Sequence, residues 1–210
     1  MSKFEQEILK EFINENLTNR FIHSILSSHK ALVLFVKNKD SSLWLYRFLW
    51  TQQNHKKGPI PIFSHLRPPR FSCKTCIYTK INLQYAYHLV CIAKGDEWKI
   101  TFWTLYRAFE WLVMSFGLTN TPAAFQCFMN NVFSNLLDVY IIVYLDDILI
   151  YSDDIMQYWS YVKEILKQLC KPGLYVKVEK CEFYSDFVEY IDYVLSPSGL
   201  TMSNTKVKAI

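Results

Sequence analysis

Two adjacent aspartates, Asp146 and Asp147, interrupt the most apolar stretch of the chain, residues 139–151. The residues on both sides are mostly β-branched or aromatic, which favours two strands. Neighbouring carboxylates in such surroundings are costly unless a tight turn exposes them or a cation neutralises them. One interpretation is therefore a β-hairpin whose two-residue turn is Asp-Asp. The other is a metal site, because Mg²⁺ prefers carboxylate oxygens and two such ions can clamp the oxygens of a phosphoryl transfer.

The composition limits the class of protein. With 210 residues, of which 51% are hydrophobic, the chain can bury a core in one domain or two packed subdomains. The net charge of +4 is compatible with a nucleic-acid partner but does not require one. No apolar run approaches the ~20 residues of a membrane helix, and residues 1–7 lack the apolar core of a signal peptide. We therefore expect an intracellular protein, cytoplasmic or nuclear and not secreted, with no membrane partner and with free thiols.

The spacing of apolar residues predicts the secondary structure. Helical steps predict three helices, over residues 4–17, from Thr121-Pro122 to about Leu137, and from Asp153-Asp154 to Pro172-Gly173. Runs of β-branched and aromatic residues predict further strands over residues 31–36, 43–46, 77–83, 87–93, 100–103, 175–183 and 188–195. Strands with two helices on one face predict the α+β class.

The segment Tyr144-Leu145-Asp146-Asp147 between two apolar strands resembles the catalytic hairpin of reverse transcriptases. Residues 143–152 are similar to the version found in gypsy-type long-terminal-repeat retrotransposons. Further segments match that family in the same order, and these are residues 31–37, 95–99, 110–123, 179–183 and 206–210. The resemblance runs from about Leu9 to the last residue and is poor between Trp44 and Tyr78.

The resemblance implies the right-hand architecture of a polymerase, an α+β fold in which an antiparallel sheet carries helices on one face. Residues 1–70 would form a fingers-like region with its proline-rich connection, and residues 71–210 the palm-like core. The thumb, RNase H and integrase regions of the family would be absent. The implied reaction is the addition of deoxynucleoside triphosphates to a primer on an RNA or DNA template.

In the family, two Mg²⁺ ions are held by three carboxylates. Asp146 and Asp147 match two of them, and both would be catalytic and metal-binding residues. The third belongs to a Lys-x-Asp-Leu sequence, and the matching residues here place Asn82 at that position. An amide brings no negative charge, and each ~1.4 kcal/mol of lost transition-state stabilisation slows a reaction tenfold. We therefore expect this copy to be impaired or inactive, and its Mg²⁺ sites to be compromised.

The resemblance also assigns nucleotide contacts. Tyr87 matches the aromatic residue that screens against a 2′-hydroxyl, and Phe116 with Gly117 matches the segment that lines the nucleotide pocket. Tyr87 and Phe116 also suit an ordinary core position. Trp44 stands where relatives carry an arginine in a strand of the fingers, and a neutral ring cannot replace a bidentate phosphate donor.

Nucleic-acid contacts are implied for Tyr144 and Leu145 of the hairpin and for Lys180, although a lone lysine also suits a solvated surface. Other residues depart from the family. Arg107 replaces a glycine, and Asp192 would place a carboxylate beside a primer phosphate, where it would repel the strand.

Two alternatives stay open. One is a retrotransposon-derived protein that binds nucleic acid without catalysis or a decayed copy, since Asn82 removes a metal ligand. The other is a zinc site. Cys73 and Cys76, followed by His88 and Cys91, provide four candidate zinc ligands, although their spacing fits no compact zinc finger.

Overall fold

The computed structural model of the chain describes residues 2–25, 34–37, 43–46, 77–115, 118, 120–191 and 193–203, and describes 34–37 and 43–46 through their backbone pairing. The elements in chain order are α1 (Lys3–Thr18), β1 (Ile22–Ile25), β2 (Leu34–Lys37), β3 (Leu43–Tyr46), β4 (Ile77–Gln84), β5 (Thr101–Trp103), β6 (Ala108–Trp111), α2 (Thr121–Val132), β7 (Ile141–Tyr144), β8 (Asp147–Ser152), α3 (Ile155–Cys170), β9 (Tyr175–Val176), β10 (Glu182–Ser185), β11 (Val188–Tyr190), β12 (Tyr193–Ser196) and β13 (Gly199–Met202).

These residues divide between two compact units. The first contains the described residues up to 60 together with those of 87–121, and the second contains those of 61–86 and 122–210. Strand β6 pairs with β1 and so joins the segment 87–121 to the N-terminal part of the chain.

The first unit is built on α1 and a three-stranded antiparallel sheet in the order β1-β6-β5. Helix α1 confirms the amphipathic helix predicted over 4–17, and it begins with a capping box between Ser2 and Glu5. Its buried residues Leu9 and Ile13 join a cluster that includes Phe102 and Trp111 from the sheet. Strands β2 and β3 form a separate antiparallel pair.

The second unit is organised around an antiparallel sheet in the order β10-β4-β8-β7, with β9 also paired to β4. The middle of this sheet is fully buried, since Ile81, Ile148, Leu149 and Ile150 are each 0% exposed. Helix α3 packs against β4 and β8. A second, three-stranded sheet in the order β11-β12-β13 contributes to a cluster with Tyr78 and Leu149 of the first sheet.

Helix α3 forms as predicted. The Asp154 side chain caps it by accepting a hydrogen bond from the Met156 amide at 2.8 Å, and Tyr158 and Ile165 lie on its buried face. The helix ends before Gly173, whose φ of 74° is the left-handed conformation that glycine adopts readily. None of the helices in the described part of the chain has the length and apolar character to cross a membrane.

Several local predictions are wrong. The strand predicted over 87–93 is replaced by a 3₁₀ turn at Ala86–Leu89 and a single bridge at Cys91, because the chain reverses at Tyr85, whose φ is 50°. The strand predicted over 175–183 is interrupted by a 3₁₀ turn at Val178–Lys180.

The predicted cap and end of α2 also differ from the structure. The Thr121 hydroxyl donates to the Ser115 carbonyl at 3.2 Å instead of capping the helix. The helix ends at Val132, before the predicted Leu137, and the chain passes through turns to Asp138, whose φ is 60°. The apolar residues beyond the helix end are still buried, since Phe133 is 0% exposed.

Candidate active site

The Asp-Asp segment forms a tight hairpin between β7 and β8. Tyr144 pairs with Asp147, so the two-residue loop consists of Leu145 and Asp146, and Asp147 is already the first residue of β8. The predicted Asp-Asp turn is therefore shifted by one residue. The loop places Leu145 at a φ of 53°, a left-handed conformation that costs a residue with a Cβ atom roughly 1–2 kcal/mol.

Strand β4 brings Asn82 to this hairpin. It pairs antiparallel with β8 from Ile77 opposite Ser152 to Asn82 opposite Asp147. The Leu83 amide then donates to the Asp146 carbonyl at 2.8 Å. The position that the family pattern marked as a missing carboxylate therefore lies directly across the ladder from the aspartate pair.

The Asn82 side chain contacts both carboxylates. Its Nδ2 group donates to Asp147 Oδ1 at 2.8 Å and to Asp146 Oδ2 at 3.3 Å. Asn82 is 8% exposed, and the two aspartates are half-buried. An amide nitrogen carries two N–H donors, so it can donate one hydrogen bond to each carboxylate. The aspartate pair is thus held by a neutral donor that belongs to the protein.

The residues present do not fit a pair of Mg²⁺ ions. They supply two negative charges where the family arrangement has three. The amide nitrogen of Asn82 faces both carboxylates, and an amide nitrogen cannot ligate a cation. To present its oxygen, the amide would have to rotate and give up both hydrogen bonds. Within the described residues, no group of three or more His, Cys, Asp or Glu side chains is placed to hold a metal ion.

The segment after β9 fixes the backbone of Asn82. The Lys177 amide donates to the Asn82 carbonyl at 2.8 Å, and the Asn82 amide donates to the Cys181 sulfur at 3.4 Å. Burial raises the pKa of the Cys181 thiol, and the carboxylates of Asp147 and Glu179 act in the same direction. The thiol donates in turn to the Lys177 carbonyl at 3.2 Å.

Two residues that sequence reasoning did not select support the hairpin from other sides. Gln126 of α2 accepts a hydrogen bond from the Leu145 amide at 2.8 Å and donates to the Val143 carbonyl at 3.0 Å. The buried Tyr190 hydroxyl lies 3.2 Å from the Asp147 carbonyl. Gln126 had a weak sequence signal as a polar position in an apolar helix.

The other predicted site residues are distributed over the chain. Tyr144 and Leu145 are half-buried at the hairpin, and Lys180 is exposed in the 3₁₀ turn of the same unit. Tyr87 is 7% exposed and belongs to the first unit, in the 3₁₀ turn after β4. Two of the remaining predicted nucleotide contacts, Phe116 and Gly117, lie outside the described residues. For Trp44 the structure describes the backbone, which pairs with Val36. Asp192 also lies outside them.

Two of the four candidate zinc ligands lie within the described residues. Cys73 and Cys76 lie outside the described residues. His88 is in the 3₁₀ turn, where burial lowers the pKa of its imidazole. Cys91 is exposed and is one of four cysteines with free thiols in the described part of the chain.

Known proteins share this fold. A foamy viral protease-reverse transcriptase in complex with an RNA/DNA hybrid superimposes with a TM-score of 0.84 at 17% identity, over 100% of this chain and 28% of that chain. A second foamy viral structure, in complex with double-stranded DNA, gives a TM-score of 0.82 at 17% identity, over 96% of this chain and 36% of that chain. The architecture is therefore the α+β fingers–palm fold of a reverse transcriptase.

The sequence identifies the family. Residues 17–208 match the family described as reverse transcriptase (RNA-dependent DNA polymerase), and the chain belongs to it. The Transposon Tf2-3 polyprotein of Schizosaccharomyces pombe is 32% identical over 200 residues, and the Tf2-7 polyprotein is 31% identical over 200 residues. The alignments cover 94% of this chain and 15% of each polyprotein, so the chain spans a small part of the length of these relatives.

Proposed function

We propose that this chain is the fingers–palm part of a gypsy-type retrotransposon reverse transcriptase, and that Asn82 leaves this copy with little or no polymerase activity. The ancestral reaction is templated addition of deoxynucleotides to a primer 3′-hydroxyl with two Mg²⁺ ions. The assignment of residues 1–70 to a fingers-like region and of residues 71–210 to a palm-like core is part of this proposal.

The contact of Asn82 with both aspartates carries the proposal. Its nitrogen lies 2.8 Å from Asp147 Oδ1 and 3.3 Å from Asp146 Oδ2, so the carboxylates are oriented by a neutral donor. In the active family pattern a third carboxylate occupies this position and attracts cations. Because the present residues do not fit two ions, we derive no catalytic step through them.

Nucleic acid is the proposed partner. The structural neighbours are described in complex with an RNA/DNA hybrid and with double-stranded DNA. The exposed Lys180 belongs to the same unit as the hairpin and supplies a cation for a phosphate contact. Deoxynucleoside triphosphates are the expected second substrate, and Tyr87 with the segment Phe116-Gly117 is the proposed nucleotide contact.

Primer extension on a poly(rA)/oligo(dT) duplex tests the proposal, first with Mg²⁺ and then with Mn²⁺. The unmodified chain should extend the primer at least about a hundredfold more slowly than the Asn82→Asp variant, which restores the third carboxylate. Asn82→Ala is the matched control, because it removes the amide without adding a charge, and it should stay inactive. Thermal unfolding of all three forms shows that the comparison concerns folded protein.

Efficient extension by the unmodified chain would show that Asn82 does not impair the site. Extension by neither form would contradict the view that Asn82 is the decisive departure, and would direct attention to Trp44 and Asp192. Double substitution of Asn82→Asp with Asp147→Asn should abolish any restored activity, since it removes one metal ligand while leaving the other two.

A second candidate function is nucleic-acid binding without catalysis. The observation in its favour is the same contact, because the aspartate pair is stabilised by Asn82 and needs no cation to hold its geometry. Binding of a fluorescent primer–template at several salt concentrations tests it. If binding is retained, the logarithm of the binding constant should fall steeply and linearly with the logarithm of the salt concentration. A decayed copy gives weak binding at all salt concentrations.

A further inference from the structure

Gln126 makes three hydrogen bonds with one side chain. Its Oε1 accepts from the Leu145 amide at 2.8 Å, and its Nε2 donates to the Val143 carbonyl at 3.0 Å and to Asn130 Oδ1 at 2.9 Å. Both N–H donors of the amide are therefore used. The side chain is half-buried on α2, so its orientation is fixed by these partners.

The two backbone groups that Gln126 contacts flank Tyr144, the last residue of β7. In the sheet order β10-β4-β8-β7, strand β7 has β8 as its neighbour on one side and lies at the edge. An edge strand leaves alternate backbone groups without a ladder partner, and buried ones need a bond from elsewhere. Gln126 supplies that bond at the position where the strand turns into the loop.

The turn itself needs external support. Leu145 has a φ of 53°, a conformation that residues with a Cβ atom rarely adopt, and such a residue persists when its surroundings determine it. The Leu145 amide donates to Gln126, while the next residue, Asp146, presents its carboxylate to Asn82. The orientation of Leu145 therefore sets where the Asp146 carboxylate lies relative to Asp147.

We propose that Gln126 is a positioning residue for the aspartate pair. It clamps the backbone on both sides of Tyr144, holds Leu145 in its left-handed conformation, and so keeps the Asp146 carboxylate beside Asp147. The consequence for catalysis rests on the proposed function, whereas the positioning role does not, because it concerns the hairpin of the unmodified chain. It acts through the backbone and touches no substrate.

Amide hydrogen exchange measured by NMR on the unmodified, metal-free chain tests the positioning role. In Gln126→Met, which is nearly isosteric and has no hydrogen-bonding amide, the Leu145 amide should exchange about five- to tenfold faster. The side-chain amide signals of Asn82 should shift in the same variant, because their carboxylate partners move. Protection of Ile148 and Ile150 in the same spectra shows that the sheet remains folded.

Two variants serve as controls. Asn130→Ala removes the third bond of Gln126 but leaves both bonds to the turn, so the Leu145 exchange rate should stay within about twofold of the unmodified chain. Gln126→Glu keeps an oxygen that accepts from the Leu145 amide but loses the donor to the Val143 carbonyl, so the protection of Leu145 should lie between that of the unmodified chain and that of Gln126→Met. A general loss of stability would not produce this pattern, since it would affect neighbouring amides equally.

A kinetic measurement separates this inference from the proposed function. In the Asn82→Asp background, adding Gln126→Met should lower kcat about tenfold or more and leave KM for the primer–template within about twofold. If Asn82→Asp does not extend a primer, the proposed function fails, while the exchange rates still decide the role of Gln126. Unchanged Leu145 exchange and Asn82 signals in Gln126→Met would overturn the positioning role, as would an unchanged kcat in an active background.

Discussion

The two sheets of the second unit differ in strand length and in what covers them. The central strands β4 and β8 of the sheet that carries the aspartate pair have 8 and 6 residues, whereas the strands of the C-terminal sheet have 3 or 4. In the sheet that carries the aspartate pair, Ile148 and Leu149 point to opposite faces of β8 and are both fully buried, and Ile81 of β4 is fully buried as well. In the C-terminal sheet, all residues of β13 (Gly199–Met202) are exposed. Burial on both faces fixes a register strongly, since a slip of one residue would turn every side chain to the wrong face. That register is what places Asn82 opposite Asp147.

The C-terminal sheet contributes to the hydrophobic core through its first two strands, β11 and β12. Val188, Tyr190 and Leu195 form a buried cluster with Tyr78 and Leu149 of the site-bearing sheet. The outer strand β13 is attached through its backbone pairing with β12. The comparison therefore predicts a steep gradient of sensitivity to substitution, from the central ladder through the shared cluster to the outer strand.

The largest effect is expected at Leu149. It is 0% exposed, so Leu149→Ala should lower the free energy of unfolding by about 2–5 kcal/mol through lost burial and a residual cavity. The matched substitution Leu200→Ala on β13, where the side chain is 42% exposed, should change it by less than about 0.5 kcal/mol. Urea unfolding followed by circular dichroism measures both, and similar losses would break the comparison.

An intermediate effect is expected at Tyr158. Its buried hydroxyl is 2.6 Å from Thr79 Oγ1 and accepts from the Tyr184 amide at 3.0 Å. Tyr158→Phe removes this link between α3 and the sheet and should lower the free energy of unfolding by about 1–3 kcal/mol. Tyr193→Phe, at a 38% exposed position of β12, is the control and should have an effect within about 0.5 kcal/mol. Equal effects would show that the hydroxyl of Tyr158 contributes nothing specific.

The smallest effect is expected at Tyr190, where the two sheets meet. Its hydroxyl lies 3.2 Å from the Asp147 carbonyl and 3.4 Å from the Ile142 carbonyl, so Tyr190→Phe should lower the free energy of unfolding by about 1 kcal/mol at pH 7. The ring and its packing are kept in this variant.

The pH dependence of the same variant sharpens the test. Burial raises the pKa of Tyr190 well above its usual value, and the charge of Asp147 acts in the same direction. The stability that its neutral hydroxyl contributes is therefore complete below about pH 10, the pKa of an unfolded tyrosine, and is lost as the pH rises toward the folded-state pKa. The difference in the free energy of unfolding between Tyr190→Phe and the unmodified chain should shrink above pH 10. A constant difference would contradict this pKa shift.

Local patterns in the sequence were enough to predict several helices and strands. The amphipathic spacing of α1, the Asp154 cap of α3 and the β-branched run of β4 each predicted an element that the structure contains, because the signal lies within one short segment. The α+β class and the family followed from motifs such as Tyr144–Asp147. The roles of Tyr87 and Lys180 stay predictions.

Two of the failed predictions share one cause. The segment after β4 has strand-forming residues, yet Tyr85 turns the chain into a 3₁₀ helix, and the loop of the hairpin begins at Leu145 rather than at Asp146. Left-handed conformations at tyrosine and leucine have no sequence signal of the kind that glycine provides. They are set by partners elsewhere in the fold, as Gln126 shows for Leu145.

The sequence by itself determined that two carboxylates lie at a hairpin between apolar strands, and the resemblance to the family predicts that the amide of Asn82 stands where a third carboxylate would be. Only the tertiary structure decided how that amide is used. Asn82 and Asp147 are 65 residues apart, and they meet because both faces of the β4–β8 ladder are buried, which fixes their register. Which atoms donate hydrogen bonds to these carboxylates depends on such long-range pairing, and no local pattern carries that information.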